Sequence, residues 1–267
     1  MNTNMVSTNK SSTMEITGTI ITLNEEKNIA ACIKSLQTVC EEIVVLDSES
    51  SDRTVEIAKE LGAKVVLQPY LGDGPQKAFA ASKAKHDWVL SIDADERVDE
   101  ELIAAIRKLD LENTPFDAYF INRKTYIGDE WIKVWYPDKI ARLYNRKTAN
   151  YEAKRGHAKV THKNGAQLNG HILHYSFSNY EELINQSAKF CIRSAVMLKE
   201  KNKKIGPLDP FIHALGAFVR KYIFKKGFLH GESGLTISVT TAYGSYMKYA
   251  IARKHYLDKT SSSNSPK

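Results

Sequence analysis

Two carboxylates two residues apart, Asp93 and Asp95, close the apolar run Trp88-Val89-Leu90-Ser91-Ile92. On an extended chain alternate side chains share a face, so both can turn toward one object. A small hard cation such as Mg²⁺ or Mn²⁺ takes oxygen ligands, and is often held by one or two carboxylates together with substrate phosphates. The competing reading is local: Asp accepts backbone hydrogen bonds in turns, and Asp95 can start the helix that follows. The Asp-x-Asp spacing alone leaves both open.

The elements that would position this pair are legible upstream. Ile16 to Leu23 is a β-branched run that reads as a first strand and closes on Asn24, a residue able to cap the next helix. That helix carries Ile29, Cys32, Ile33 and Leu36 at three- and four-residue spacing. Ile43 to Asp47 is a second strand, followed by the polar turn Ser48 to Asp52 and a helix from about Arg53 to Leu61, with Gly62 as its stop. Lys64 to Gln68 is a third strand. After the loop Pro69 to Gly74, Pro75 suits a first helical turn, with Gln76 and Lys77 just inside the helix. The Trp88 strand and a helix from about Asp99 to Leu109 complete four strand–helix alternations. That pattern predicts an α/β fold: a mostly parallel sheet with helices on both faces. In such sheets ligands bind beyond the carboxyl ends of the strands, where Asn24, Asp47 and Asp93 all fall.

After Pro115 the texture changes to short β-like stretches, at Tyr119–Asn122, Trp131–Trp135, Ile140–Tyr144 and Gln167–Ser176. From Tyr180 onward the sequence reads as helical. Ile212, Leu215, Phe218, Val219, Tyr222 and Ile223 form one apolar face opposite Arg220, Lys221, Lys225 and Lys226. Packing of that face on the domain itself is the expected reading; peripheral contact with an anionic membrane is the alternative. The expected organisation is a polar tail over residues 1–14, a catalytic domain over 15–205, a helical extension over 206–258 and a second tail over 259–267.

At 267 residues the chain can bury a substantial core. Its net charge of +7 and isoelectric point near 9.1 favour anionic partners. No zinc-ligand spacing or other nucleic-acid module accompanies that charge, so nucleic acid is not expected as a partner. Cys32, Cys40 and Cys191 lack metal-ligand spacing and read as core thiols of a reducing compartment. The Gly72-Asp73-Gly74 stretch lacks the glycine spacing of dinucleotide and P-loop sites. No segment offers the roughly 20 apolar residues of a membrane span.

With these residues in view, the chain resembles the family 2 inverting glycosyltransferases of the GT-A fold, and within them the bacterial lipopolysaccharide inner-core glucosyltransferases. The resemblance rests on Thr22-Leu23-Asn24-Glu25-Glu26-Lys27-Asn28-Ile29, Val44 to Thr54, Gly74-Pro75-Gln76-Lys77, Leu90 to Arg97, Pro137 to Tyr144, His174-Tyr175-Ser176 and Gly227 to Gly231. It implies a nucleotide-sugar site made of Thr22, Asn24, Glu25, Asp47, Lys77, Asp93 and Arg142. Glu25 and Asp47 would bind the ribose and base of a uridine diphosphate sugar, and Lys77 would lie beside the nucleotide or its phosphates. Asp93 and Asp95 would hold Mg²⁺ or Mn²⁺ and the diphosphate, with Arg142 facing the site beyond the sheet.

Inverting transfer also needs a general base for the acceptor hydroxyl. Where the lipopolysaccharide-core relatives carry Val-His-Glu, this chain reads Gly156-His157-Ala158, keeping the His and losing the acid. Asp138, Glu152 and His157 are therefore all base candidates. The resemblance implies a metal-dependent enzyme moving a hexose, glucose first, from a UDP-sugar to a lipopolysaccharide-core or related envelope glycan at the cytoplasmic face of the inner membrane. The alternative, motivated by Ala158, is a nucleotide-sugar-binding relative without transfer activity.

Overall fold

The computed structural model describes residues 14–152, 158–200 and 204–263, with side chains described as far as residue 255. In chain order the first elements are β1 (Ile16–Thr22), α1 (Ile29–Leu36), β2 (Glu42–Asp47), α2 (Thr54–Glu60), β3 (Lys64–Leu67), α3 (Asp73–Ser82) and β4 (Trp88–Asp93). There follow β5 (Glu96–Val98), α4 (Glu100–Ile106), β6 (Ala118–Ile127), β7 (Glu130–Trp131), β8 (Asp138–Asn145), β9 (Asn150–Tyr151), β10 (Val160–Thr161) and β11 (Gly165–Phe177). The chain ends in helices α5 (Tyr180–Glu200), α6 (Asp209–Val219) and α7 (Gly231–Ser263). Two compact units result. One is built from the described parts of Met1–Arg123 and Asp138–His174, the other from those of Lys124–Pro137 and Tyr175–Lys267.

In the first unit the strands run in the order β3-β2-β1-β4-β8-β6-β11-β5. The four earliest strands are parallel, as the β/α alternation predicts. β8 then joins β4 antiparallel, and the later strands extend the sheet. Alternation along each strand divides the unit into two cores. Ile16, Ile20, Val45, Leu90 and Ile92 face Ile29, Ile33 and Leu36 of α1 and Leu102 and Ile106 of α4. Val89 faces the other way, toward Ala81 and Ala84 at the end of α3 and toward Tyr144 and Tyr151. The predicted apolar stripe of α1 is buried in full. Asp99 caps α4 by accepting from the Leu102 amide at 2.9 Å. Gly170 of β11 has φ +85°, and a Cβ there would stand 2.1 Å from the Leu102 nitrogen, so only glycine lets the strand pass the start of α4.

The second unit is mostly helical. Ile127, Ile132, Val134, Leu183 and Ile237 make one small core, and Ala195, Ile205, Tyr249 and Ala252 another. α6 lies on α7, with the His213 ring stacked 3.7 Å from that of Tyr249 and Phe211 edge-on to Tyr246 at 5.1 Å. Among the described residues no helix is long and apolar enough to cross a membrane.

Several expectations need correction. Trp131–Trp135 is not one strand: β7 ends at Trp131 and Lys133–Trp135 forms a 3₁₀ turn. The compact units do not part at residue 205, because Lys124–Pro137 clusters with the helices although it precedes β8 in sequence. α7 continues through residues 259–263, which hold no proline or glycine to stop it. The apolar face of α6 is not taken up by the core, for Ile212 and Leu215 are 61% and 66% exposed.

Candidate active site

The strand ends converge as the alternation of elements predicts. Thr22 at the end of β1 is in register with Asp47 of β2, and Ile21 with Asp93 of β4, so the two acids end the strands on either side of β1. Their side chains leave opposite faces. Asp47 shares the face of Val45 and Ile20, whereas Asp93 shares that of Val89.

On the Asp93 face, buried and half-buried charges form a chain. One carboxylate oxygen of Asp93 pairs with Lys77 Nζ, delivered by α3, and the other accepts from Arg142 Nη2 of β8 at 2.8 Å. The same Arg142 nitrogen donates to Glu96 Oε1 at 2.8 Å, which also accepts from Arg123 Nη1 of β6 at 2.9 Å. Glu96 Oε2 takes the backbone N–H of Asp93 at 2.9 Å, closing the hairpin that carries the acids. Arg123 turns its remaining donors to Asp138, 2.7 and 2.9 Å away. Tyr151 lies flat beneath Lys77, its ring centre 5.7 Å from Nζ.

Three cations thus meet three carboxylates, and Glu96 is fully buried. Burial works against the charged form of Asp93, but Arg142 and Lys77 beside it hold its carboxyl well below the usual range. For Glu96 burial again opposes ionisation, and Arg142 with help from His174 and Arg123 outweighs it. Arg142 is correspondingly locked in its charged state by Asp93 and Glu96 despite its own burial. Unpaired, any of these groups would be costly to bury; together they fix one geometry.

Asp95 stands beside this chain. Its Oδ2 meets His174 Nε2 of β11 at 3.1 Å, and among the described residues its Oδ1 accepts no hydrogen bond. Its side chain is 23% exposed. Against burial, the Asp95 hydrogen bond and the charges of Asp95 and Glu96 raise the His174 pKa. The open carboxylate oxygen of Asp95 offers one hard ligand of the kind a divalent ion takes. Asp93 fits one only as Lys77 or Arg142 turns away, since both its oxygens are taken.

The other predicted donor-side residues come from the ends of β1 and β2 and gather around the turn after β2. Asp47 is fully buried and accepts from Ser50 through both oxygens, at 2.9 Å from the amide and 2.5 Å from the hydroxyl. Asn24, at φ +54°, accepts from the Ser51 amide at 2.8 Å, and its own amide donates to Ser50 Oγ at 2.8 Å. The Glu25 amide donates to Thr54 Oγ1 at 2.8 Å, and its carboxylate accepts from Asn28. Thr22 is buried, its hydroxyl without a partner among the described residues.

The structure therefore joins Lys77, Asp93 and Arg142 directly, sets Asp95 next to them and links Asp138 through Arg123. Thr22 and Asp47 end β1 and β2, and Asn24 and Glu25, on the loop after β1, bond to the residues that follow β2. Glu152 borders the strand ladder, its amide donating to Lys159 O at 2.9 Å. His157 lies outside the described residues. Sequence reasoning assigned no role to Glu96, Arg123, Tyr151 or His174. The density of acids in Asp93-Ala94-Asp95-Glu96 was the available signal, since so many carboxylates at one strand end require cations nearby. Gln76, fully buried, holds the loop before α3 by accepting from the Leu71 amide and donating to Gln68 O and Ser48 Oγ.

The sequence model of the family described as Glycosyl transferase family 2 matches residues 19–169, the stretch that builds this arrangement. A glycosyltransferase of Rickettsia typhi, named only as uncharacterized, is 33% identical over 249 residues, 88% of this chain and 85% of the relative. The lipopolysaccharide core biosynthesis glycosyltransferase LpsC of Rhizobium meliloti is 26% identical over 262 residues, 90% of this chain and 94% of the relative. Among solved structures, residues 1–349 of TarS from S. aureus match with a TM-score of 0.47 at 14% identity, covering 93% of this chain and 92% of that one. A family model that covers more than half of the sequence, and a relative 33% identical over 88% of it, show that the chain belongs to glycosyl transferase family 2.

Proposed function

We propose that the chain is an inverting hexosyltransferase that uses a divalent ion, Mg²⁺ or Mn²⁺, and moves glucose from a UDP-sugar onto a lipopolysaccharide-core or related envelope glycan. The observation that carries this reading is the Lys77–Asp93–Arg142 contact with Asp95 beside it. It supplies two cations for a diphosphate and a carboxylate oxygen for an ion at the mouth of a glycosyltransferase sheet. Similarity to LpsC over nearly the whole chain supports the acceptor class.

In this reading Asp95 and Asp93 hold the ion, and Lys77 and Arg142 exchange Asp93 for the phosphate oxygens of the donor. The bound ion supplies charge compensation for the leaving diphosphate. Lys77 and Arg142 add to it from fixed, largely buried positions, where hydrogen bonds to developing charge are most effective. The turn holding Asn24, Glu25 and Asp47 offers oxygens to the nucleoside. The base that takes the acceptor proton comes from Asp138, Glu152 or His157. Asp138 would release Arg123 to act. Work at the cytoplasmic face, peripheral to the membrane, follows from the acceptor class.

A second reading, donor binding without transfer, draws on Ala158. It packs against the small apolar cluster around Tyr144 and Tyr151, in the place where the resembling enzymes keep an acid. Calorimetric titration of UDP in the presence of Mn²⁺, for the wild type, Asp93→Asn and Asp95→Asn, tests donor binding. Undiminished metal-dependent binding in both variants sinks the main proposal. Metal-dependent release of UDP from UDP-glucose separates the transferase from the binding protein.

A further inference from the structure

The helical unit carries an apolar strip that its own cores leave uncovered. Leu208, Phe211, Ile212, Leu215, Ile223 and Phe224 are exposed, between 50% and 77%. Residues 208, 211, 212 and 215 recur at helical spacing and so share one face of α6. The opposite side is the one engaged by α7, through the stacked His213 and the buried Ala217, and at the edge of the strip Phe211 also touches Tyr246 of α7 while staying 60% exposed. After the π-helical turn Arg220–Phe224 the chain reverses at Lys226, whose φ is +55°. Phe218 stacks on Tyr222 at 5.1 Å and Tyr222 meets Phe228 at 6.2 Å, which brings Phe228 and Leu229, themselves 49% and 64% exposed, alongside the same strip.

Charge singles out the occupant. From Leu208 to His230 the sequence holds Arg220, Lys221, Lys225 and Lys226 against a single acid, Asp209, whose carboxylate accepts from the Gly206 amide. Arg220, Lys225 and Lys226 are exposed. A second copy of the chain on this strip would bring basic stretch against basic stretch, and like charges across an interface are strongly unfavourable. A polyanion alone would leave the Phe, Ile and Leu side chains in water. An anionic bilayer surface satisfies both halves, its headgroups taking the Lys and Arg side chains and its acyl boundary the apolar ones.

We infer that α6 and the turn as far as His230 form a docking surface for an anionic bilayer, on which the helix lies without crossing. This deepens the peripheral-membrane part of the proposed function and does not depend on the donor chemistry.

The test is sedimentation of the full chain with vesicles of phosphatidylcholine alone and of phosphatidylcholine with one-third phosphatidylglycerol. Binding is expected to the anionic vesicles only, and to weaken as salt rises. Each basic side chain near such a surface is worth about fivefold, so Lys225→Ala with Lys226→Ala should weaken binding by roughly 25-fold. Phe224→Ser with Leu229→Ser should weaken it by roughly tenfold or more with little change in melting temperature, since both side chains are already in water. No sedimentation with anionic vesicles overturns the inference, as does binding that ignores both variant pairs. So does a dimer in light scattering that Phe224→Ser with Leu229→Ser abolishes while vesicles are never bound. UDP titration run in parallel keeps the two proposals apart: vesicle binding without UDP binding sinks the donor reading alone, and the converse sinks the docking surface alone.

Discussion

Glu96→Gln is the substitution that most directly probes the charge chain beneath the site. Gln keeps the shape but removes a fully buried negative charge that accepts from Arg142, Arg123 and the Asp93 amide at 2.8, 2.9 and 2.9 Å. Its amide oxygen can serve one side, whereas its NH₂ must face a donor on the other. Lys77, Arg123 and Arg142 are then left with two carboxylates between them. Removing one partner of a buried ion pair costs about 3–5 kcal/mol. At about 2–4 °C per kcal/mol for a domain of this size, the melting temperature should fall by roughly 6–20 °C at pH 7. The sign of the pH dependence gives a second check. The folded-state pKa of Glu96 is depressed, so its contribution is complete above the ordinary value of 4.5 and is lost as pH falls through the folded value. Scanning calorimetry of both proteins from pH 7 to pH 3.5 should show a constant gap that closes below about pH 4.5. A gap under about 2 °C at neutral pH, or one that widens on acidification, refutes the assignment of Glu96 as the anchor of Arg142.

Three further outcomes follow from the geometry. His174 has a raised pKa in the fold, so its pairing with Asp95 stabilises fully below the ordinary value of 6.5 and fades as pH rises through the folded value. The melting advantage of the wild type over His174→Gln should therefore be larger at pH 6 than at pH 9, and a constant advantage would contradict the pairing. Lys77→Met leaves Asp93 with Arg142 alone and should raise the KM for the sugar nucleotide and lower kcat, with Lys77→Arg recovering part of both; an unchanged KM in steady-state UDP-release kinetics would remove Lys77 from the donor site. Gly170→Ala combines a left-handed backbone with a Cβ 2.1 Å from the Leu102 nitrogen. It should cost about 2–5 kcal/mol in urea melts, and a loss below about 1 kcal/mol would mean that β11 can move away from α4.

The parts of the molecule readable from sequence are those whose signals are local. The Ile29, Cys32, Ile33 and Leu36 spacing locates α1 and its buried face, and four short apolar runs locate the parallel strands. The charge chain is different in kind. Arg123 and Arg142 reach Glu96 from 27 and 46 residues away, on β6 and β8, whose order beyond β4 no local pattern fixes. Asp47 shows the limit in the other direction. Its position at a strand end suggests an open ligand, while Ser50 alone, through its amide and its hydroxyl, folds back and occupies both its oxygens. The apolar face of α6 was legible as a face, but its periodicity cannot say whether protein or solvent lies against it, and here it lies in water.

Because Asp47 and Asp93 leave opposite sides of the sheet, a molecule that reaches both the serine turn and the Lys77–Arg142 pair must straddle the tip of β1. Two inter-strand steps of about 4.8 Å set that distance near 10 Å. A free phosphate or a monosaccharide phosphate is too short to bridge it, whereas an extended nucleoside diphosphate has the reach. Under the proposed donor chemistry the sheet would act as a ruler, favouring an extended sugar nucleotide over small anions.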